Sequence, residues 1–146
     1  QSSLGEVLDG AMGKDIPILG ICFGHQFIAS HLGGQVDYLW DKKKKKKGTR
    51  KVNIKRNSLI DADRTCHLIY SHQEGIVSCL YVFEVIASSD MVEMEGIGHK
   101  SKAIWGFQTH IEASWSFAQR QGISIEDYEK TNEHGTHIMQ SFFKKL

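Results

Sequence analysis

The chain has 146 residues, long enough for one domain with a sizeable hydrophobic core and too short for two independent ones. Its formal net charge is +1, but six of its 18 basic residues form one run, Lys42–Lys47, and the rest of the chain carries 12 basic against 17 acidic residues. Because the basic residues are not spread over a face, and no apolar stretch approaches the roughly 20 residues of a membrane span, we expect a protein that binds neither nucleic acid nor membranes.

The first part of the chain predicts a helix, a strand and a second helix. Apolar residues between Leu4 and Met12 have helical spacing. Asp15–Ile21 predicts a short buried strand, because its residues would be apolar on both faces. A helical pattern runs from Phe23 to Leu32, and Gly33-Gly34 supplies a left-handed stop after it. The expected order is therefore strand, sharp turn, helix.

The rest of the chain predicts several strands and a final helix. The candidate strands are Val36–Trp40, Lys51–Ile54, His67–Tyr70 and Val82–Ala87. Met91–Glu95 and Ala103–Phe107 are predicted to pair across a turn at Gly96–His99. The last helix should begin near Ser124, whose side chain can cap it, and it should tolerate Gly135. These elements predict an open α/β sheet with an antiparallel extension.

The lysine run and the cysteines indicate where the chain is exposed and in which compartment it works. Like charges repel, so Lys42–Lys47 predicts a mobile surface loop, with a sequence artefact and an anion site as the alternatives. Cys22, Cys66 and Cys79 lack metal or redox spacing, and no secretory signal opens the chain. We therefore expect reduced thiols, a cytoplasmic location and no metal site.

Gly20-Ile21-Cys22-Phe23-Gly24 has the spacing of a nucleophile elbow, a tight strand-to-helix turn that presents a reactive side chain. Glycines two residues either side of Cys22 would let the strand and the helix approach closely. The helix N-terminus favours the thiolate of Cys22, and the amide of Phe23 would form half of an oxyanion hole. Taken alone, the same motif is also compatible with a buried cysteine that serves only packing.

A second motif lies beyond the predicted strand Ala103–Phe107. His110 and Glu112 are two residues apart, so in extended backbone their side chains face the same way. Glu112 could then fix the tautomer of His110 while the other ring nitrogen faces Cys22. The ends of parallel strands meet at one crevice, so both motifs are expected in one site.

Together these motifs resemble the class I glutamine amidotransferases, whose elbow is G-x-C-x-G-x-Q and whose base and acid lie in a Q-x-H-P-E-like stretch. The matching residues are Gly20, Cys22, Gly24, Gln26, Gln108, His110 and Glu112. The similarity continues in Leu32-Gly33-Gly34 and in Tyr70-Ser71-His72-Gln73. It extends over about residues 16–114 and implies a flavodoxin-like, open and mostly parallel sheet with an antiparallel extension.

The resemblance also implies a reaction and a set of roles. The substrate would be glutamine or a related γ-glutamyl amide, the intermediate a thioester on Cys22, and no metal or organic cofactor would be needed. His110 would protonate the departing ammonia, and Glu112 would orient His110. The residues implied in substrate binding are Gln26, Ser71, His72 and Gln73. A synthetase domain or subunit is the protein partner that the family implies.

Two departures from the family pattern keep other functions open. Ile111 replaces the usual proline, and only 21 residues precede Cys22, none of which form the Gly/Pro-rich loop that supplies the second oxyanion amide. We therefore expect residues 1–146 to form a single domain that lacks the N-terminal strand and loop of the family. The alternatives are a non-catalytic binding or regulatory module on the same fold and another elbow-type cysteine hydrolase. Such hydrolases commonly carry histidine directly after the cysteine, where this chain has Phe23.

Overall fold

The computed structural model describes residues 3–41 and 44–146, and in these ranges the chain forms four helices and eight strands. The helices are α1 (Ser3–Gly13), α2 (Phe23–His31), α3 (Trp115–Arg120) and α4 (Ile125–Phe143). The strands are β1 (Ile18–Ile21), β2 (Gln35–Tyr38), β3 (Lys46–Ile54), β4 (Arg64–His72), β5 (Glu74–Ser78), β6 (Phe83–Ser88), β7 (Gly96–His99) and β8 (Ile104–Phe107). The predicted helices at the two ends of the chain and after Cys22 are therefore confirmed.

A six-stranded mixed sheet forms the centre of the described part of the chain, in the order β1-β8-β7-β6-β3-β4. β1 and β8 are parallel, whereas the other neighbours in this sheet are antiparallel. β2 and β5 form a separate antiparallel pair. The α/β fold class is confirmed, but the antiparallel part is larger than the mostly parallel sheet that we expected. Short connections, such as those from β6 to β7 and from β7 to β8, allow only antiparallel neighbours.

The two faces of the sheet are covered by different helices. Ile104 of β8 packs in one apolar cluster with Leu8 of α1 and Ile28 of α2. Phe107, on the opposite face of β8, packs in another cluster with Ile138 of α4. This arrangement follows from the strand geometry, because successive side chains of a strand point to opposite faces. The sheet is thus buried between α1 and α2 on one side and α4 on the other.

Gly96–His99 is strand β7 and not the predicted turn, and Met91–Glu95 is not a strand. A Cβ atom on Gly96 would lie 2.9 Å from the Cβ of Ala87, and one on Gly98 would lie 3.3 Å from the Trp105 ring. These glycines make room for the side chains of the neighbouring strands. Glycine in a strand often marks such a close approach, and its local signature is the same as that of a turn.

The lysine run is only partly a loop. Lys44 and Lys45 are exposed and irregular, but Lys46 and Lys47 begin β3 and pair with His72 and Ser71 of β4. The ammonium of Lys46 lies 4.8 Å from the centre of the Trp40 ring. The prediction of a surface loop is therefore wrong for the last two lysines, since antiparallel pairing with β4 extends the strand. Lys42 and Lys43 lie outside the described residues.

The final helix begins as predicted. The hydroxyl of Ser124 accepts a hydrogen bond from the amide of Asp127 at 3.2 Å, which is the N-cap interaction. Strand β5 and helix α3 were not predicted from the sequence. Among the helices of the described ranges, none is long and apolar enough to cross a lipid bilayer.

Candidate active site

Cys22 lies at the junction of a strand and a helix, in a strained conformation. β1 ends at Ile21 and α2 begins at Phe23, so Cys22 is the N-cap residue, with φ 52° and ψ −104°. In the described part of the chain, Asp15 is the only other non-glycine residue with positive φ. The amide of Cys22 donates to the carbonyl of Phe107 at 2.8 Å. Such a backbone costs about 1–3 kcal/mol and persists only where neighbouring structure holds it, which is typical of functional sites.

The two glycines of the elbow have different roles. A Cβ on Gly20 would lie 2.7 Å from the carbonyl carbon and oxygen of Gly24 and 2.6 Å from Ile28. The absence of a side chain at Gly20 is therefore what allows β1 and α2 to meet. A Cβ on Gly24 would contact no atom within 4 Å. The expectation that both glycines are needed for close approach is thus correct for Gly20 and wrong for Gly24.

The parallel pairing of β1 and β8 brings the two predicted motifs together. Ile21 and Phe107 are partners in the strand register, so Cys22 and Gln108 follow at the same edge of the sheet. Beyond this edge, the amide of His110 donates to the carbonyl of Ile69 at 2.8 Å, which ties the segment to β4. A single pair of parallel strands therefore brings together two motifs that lie far apart in the sequence.

His110 is held on two sides. Its Nδ1 lies 3.0 Å from Oε2 of Glu112, and its ring centroid lies 4.8 Å from that of Phe117. The His110 side chain is 17% exposed, against 43% for Glu112. Because the carboxylate engages Nδ1, Nε2 is the nitrogen that remains for an interaction with Cys22.

The charges at the site favour a protonated His110. Burial of the ring opposes protonation, but interactions with the side chains of Cys22 and Glu112 outweigh it and raise the pKa of His110 to about 9. Burial opposes ionisation of Glu112 as well, yet the hydrogen bond to His110 gives a net lowering of the pKa of that carboxyl. At neutral pH the pair is therefore imidazolium and carboxylate, with the sulfur of Cys22 beside the positive charge.

Gly135 of α4 packs against the segment that carries His110 and Glu112. A Cβ on Gly135 would overlap the carbonyl oxygen of Ile111 and lie 3.1 Å from its carbonyl carbon. The helix thus packs directly against the backbone between His110 and Glu112. This role explains why a glycine interrupts an otherwise regular helix, and the sequence alone contains no signal for it.

Two glutamines connect Cys22 to the neighbouring strands. Gln108 is fully buried, and its Nε2 points to the sulfur of Cys22 at 3.6 Å. Its Oε1 accepts from Nε2 of Gln26 at 3.2 Å, and the same nitrogen donates to the carbonyl of Glu74 at 3.0 Å. Gln108 received no role from the sequence, although it precedes His110 in the Gln-x-His pattern. Its contact with the sulfur of Cys22 makes it part of the candidate site.

The segment Ser71–Gln73 lies at the end of β4, close to these glutamines. Ser71 and His72 are buried, and Gln73 is half-buried with its carbonyl accepting from the amide of Leu39 at 3.0 Å. The His72 ring does not face an open cleft, because Nδ1 lies 2.9 Å from the carbonyl of Glu74 and Nε2 lies 2.8 Å from Arg50. The structure therefore brings the predicted substrate segment beside Gln26 and turns the imidazole of His72 inward.

His25 has a packing role. It is fully buried, its Nε2 lies 3.3 Å from the carbonyl of Met94, and burial lowers its pKa to about 4. A Cβ on Gly106 would lie 2.6 Å from its Nδ1, so β8 leaves room for this ring. In residues 3–41 and 44–146, no group of three or more His, Cys, Asp or Glu side chains is arranged to hold a metal ion.

The chain is similar to one protein family along most of its length. The model of the family Glutamine amidotransferase class-I matches residues 4–124. A GMP synthase (glutamine-hydrolyzing) subunit from Methanococcus aeolicus is 31% identical over 139 residues, which cover 94% of this chain and 64% of that protein. The protein of the same name from Methanocaldococcus jannaschii is also 31% identical over 139 residues, which cover 94% of this chain and 64% of that protein. This chain thus spans about 64% of the length of these relatives.

Two solved structures have a similar fold. A glutamine amidotransferase from Thermotoga maritima has a TM-score of 0.77 at 19% identity and covers 97% of this chain and 67% of its own. A glutamine amido transferase from Methylobacillus flagellatus has a TM-score of 0.79 at 16% identity, with coverages of 99% and 69%. At these identities the likeness shows the shared fold alone.

Proposed function

This chain belongs to the class-I glutamine amidotransferase family, and from that premise we propose that it hydrolyses the side-chain amide of glutamine, or a related γ-glutamyl amide, through a thioester on Cys22. One observation supports this most directly. The strained Cys22 lies at the same edge of the sheet as His110, which is paired with Glu112, and the sulfur helps to raise the pKa of that histidine. A thiolate next to an imidazolium is the form of cysteine that attacks a carbonyl carbon.

In the first step the thiolate of Cys22 would attack the amide carbon of the substrate. The C–S bond forms as the carbonyl oxygen becomes an oxyanion, and the amide of Phe23, at the first position of α2, would donate to it. His110 would then give its proton to the amide nitrogen. The C–N bond breaks, ammonia leaves, and the γ-glutamyl thioester remains on Cys22.

In the second step water would hydrolyse the thioester. His110, now neutral, would take a proton from the attacking water, and the C–S bond would break with the thiolate of Cys22 as the leaving group. Glutamate is released and the thiolate-imidazolium pair is restored. Glu112 would hold Nδ1 of His110 throughout, so that Nε2 always faces the reacting atoms. Neither step requires a metal or an organic cofactor.

The substrate would lie between α2 and the end of β4. We propose that Gln26 and the segment Ser71–Gln73 hold it, because Gln26 reaches both the carbonyl of Glu74 and the glutamine that contacts Cys22. The polar groups of this region would offer directed hydrogen bonds to the substrate. Such bonds orient a small polar amino acid precisely.

The ammonia would pass to a synthetase. The relatives at 31% identity are subunits of a glutamine-hydrolysing GMP synthase, and we propose a corresponding place for this chain, as a domain or subunit beside a synthetase. Cys22, Cys66 and Cys79 are all free thiols. Because a cysteine nucleophile must stay reduced, we propose that the protein works in the cytoplasm.

The test of this function is labelling of the full encoded chain by a glutamine-like diazoketone. We expect one adduct, located on Cys22 by peptide mass spectrometry, and we expect glutamine but not leucine to slow its formation. Glutamate release from glutamine should be measured on the same preparation. An adduct on Cys66 or Cys79, or labelling that glutamine does not slow, would contradict the proposal and favour a non-catalytic module.

The pH dependence of activity should depend on Glu112. The pKa of His110 is raised to about 9, above the usual 6.5, so its imidazolium form is present at neutral pH and is lost as the pH rises through about 9. In Glu112→Gln the negative charge that helps to raise this pKa disappears, and the hydrogen bond to Nδ1 loses its charge assistance. We expect the alkaline limb of the kcat/KM profile to move to lower pH, towards 6.5, while Glu112→Asp, which keeps the charge, shifts it less. An alkaline limb of Glu112→Gln that coincides with that of the parent protein would refute the assigned role.

A further inference from the structure

A buried ion pair lies behind the proposed glutamine site. Arg50 of β3 is 8% exposed and Glu95, just before β7, is fully buried. Nη2 of Arg50 donates to Oε1 of Glu95 at 2.8 Å, and the hydroxyl of Ser89 donates to Oε2. The proposed reaction uses neither charge. Because a buried ion pair often contributes little net stability compared with apolar residues of similar size, its presence calls for another explanation.

Arg50 controls the orientation of His72. Nη2 of Arg50 lies 2.8 Å from Nε2 of His72, and an arginine can only donate, so Nε2 accepts and the ring proton is on Nδ1. Nδ1 then donates to the carbonyl of Glu74 at 2.9 Å. Burial and the charge of Arg50 lower the pKa of His72 to about 4, which keeps the ring neutral and this tautomer in place. The charge pair therefore determines which hydrogen bond His72 offers to the backbone.

The carbonyl of Glu74 is the link to the nucleophile. It accepts from Nδ1 of His72 and also from Nε2 of Gln26 at 3.0 Å. Gln26 donates to Gln108, and Gln108 points to the sulfur of Cys22 at 3.6 Å. A continuous path of hydrogen bonds thus runs from the ion pair to the reacting atom.

We propose that Arg50 and Glu95 are positioning residues, which through His72 and the carbonyl of Glu74 hold Gln26 and the segment Ser71–Gln73 in the geometry that binds glutamine. This inference rests on the proposed function. The pairing of β3 with β4 does not depend on the ion pair, because continuous backbone pairing joins these two strands from Lys46 to Ile54. His72 also packs on the Trp40 ring, with centroids 5.3 Å apart, so packing alone would bury it without defining its tautomer.

The test is the double variant Arg50→Met/Glu95→Leu, which removes both charges and leaves none uncompensated. Two reagents are compared on Cys22: a glutamine-like diazoketone, which needs the substrate site, and iodoacetamide, which does not. We expect the diazoketone rate constant to fall at least about tenfold, because small displacements at a positioned site have effects of this size. The iodoacetamide rate constant should change less than about threefold. Because iodoacetamide also alkylates unfolded chains, the two rate constants are compared only on preparations that circular dichroism shows to be folded like the parent protein.

A matched control replaces the exposed pair Lys55 and Glu84, whose charged atoms lie 3.7 Å apart, by the same residues, methionine and leucine. Neither rate constant should change. The single variant Arg50→Lys keeps the positive charge opposite Glu95 but replaces the planar guanidinium by an ammonium group, which cannot reproduce its paired hydrogen bonds. We expect its diazoketone rate constant to lie between those of the parent protein and the double variant. Folded variants that react with the diazoketone at the parental rate would overturn the inference. Failure of Arg50→Lys to fold would overturn it as well, because the ion pair would then serve stability. If the parent protein itself is not labelled, the proposed function fails instead.

Discussion

Replacing Cys22 by alanine should abolish glutamine hydrolysis, because no other group at the site can form the thioester. The rate that remains should be the one that substrate binding and oxyanion stabilisation support by themselves. In comparable nucleophile deletions kcat falls about 10⁶-fold. Glutamate release by the full encoded chain measures the effect. The variant should remain folded, and circular dichroism should confirm this before the kinetics are interpreted.

The other two cysteines provide the controls. Cys66 is buried in the core and Cys79 is half-buried, and burial raises the pKa of both thiols, which makes them poor nucleophiles. Cys66→Ala and Cys79→Ala should therefore keep the activity of the parent per folded molecule. If Cys22→Ala stays active while either of these variants loses activity, the nucleophile has been misassigned.

Replacing Gly20 by alanine should destabilise the protein and impair the site together. The added Cβ would lie 2.7 Å from the backbone of Gly24, which cannot move without shifting the start of α2 and with it Cys22. Overpacking of this kind costs about 1–3 kcal/mol in the free energy of unfolding. Displacement of the nucleophile should add a loss of about 10²-fold in kcat. Urea unfolding and steady-state kinetics measure the two effects.

Gly24→Ala is the matched control in the same turn. Its Cβ would meet no atom within 4 Å, and the position is helical, so alanine should be neutral or raise the free energy of unfolding by about 0.5–1 kcal/mol. The two glycines look equivalent in the motif, but only one of them is closely packed. Equal destabilisation by both substitutions would mean that the close contact at Gly20 is not what maintains the turn.

Features that depend on a few consecutive residues were predictable from the sequence. The turn at Cys22 follows from the placement of an apolar strand, a small residue and a helical pattern in direct succession. The cap at Ser124 follows in the same way from one side chain and the amides next to it. His110 and Glu112 are paired as predicted, but Ile111 and Glu112 lie in a turn and not in the extended backbone that we expected, so closeness in sequence and not strand geometry explains the pair.

The roles of several glycines were not predictable, because glycine occurs both in turns and where two elements pack closely. Gly96 and Gly98 have the local signature of a turn, but their position between β6 and β8 makes them the close-packed residues of a central strand. Gly135 has the signature of a weak point in a helix, whereas it lets α4 contact the backbone of Ile111. In each case the neighbour that gives the glycine its role belongs to another element of the fold.

The sequence by itself determined which groups form the candidate active site: a cysteine at a strand-to-helix turn and a histidine paired with a carboxylate. Only the tertiary structure decided which groups support them. Gln26 and Gln108 are 82 residues apart, and Arg50 and Glu95 are 45 apart. Such partners are chosen by the order of the strands and by the burial of polar groups that must find a hydrogen bond, and neither property is a local pattern of residues.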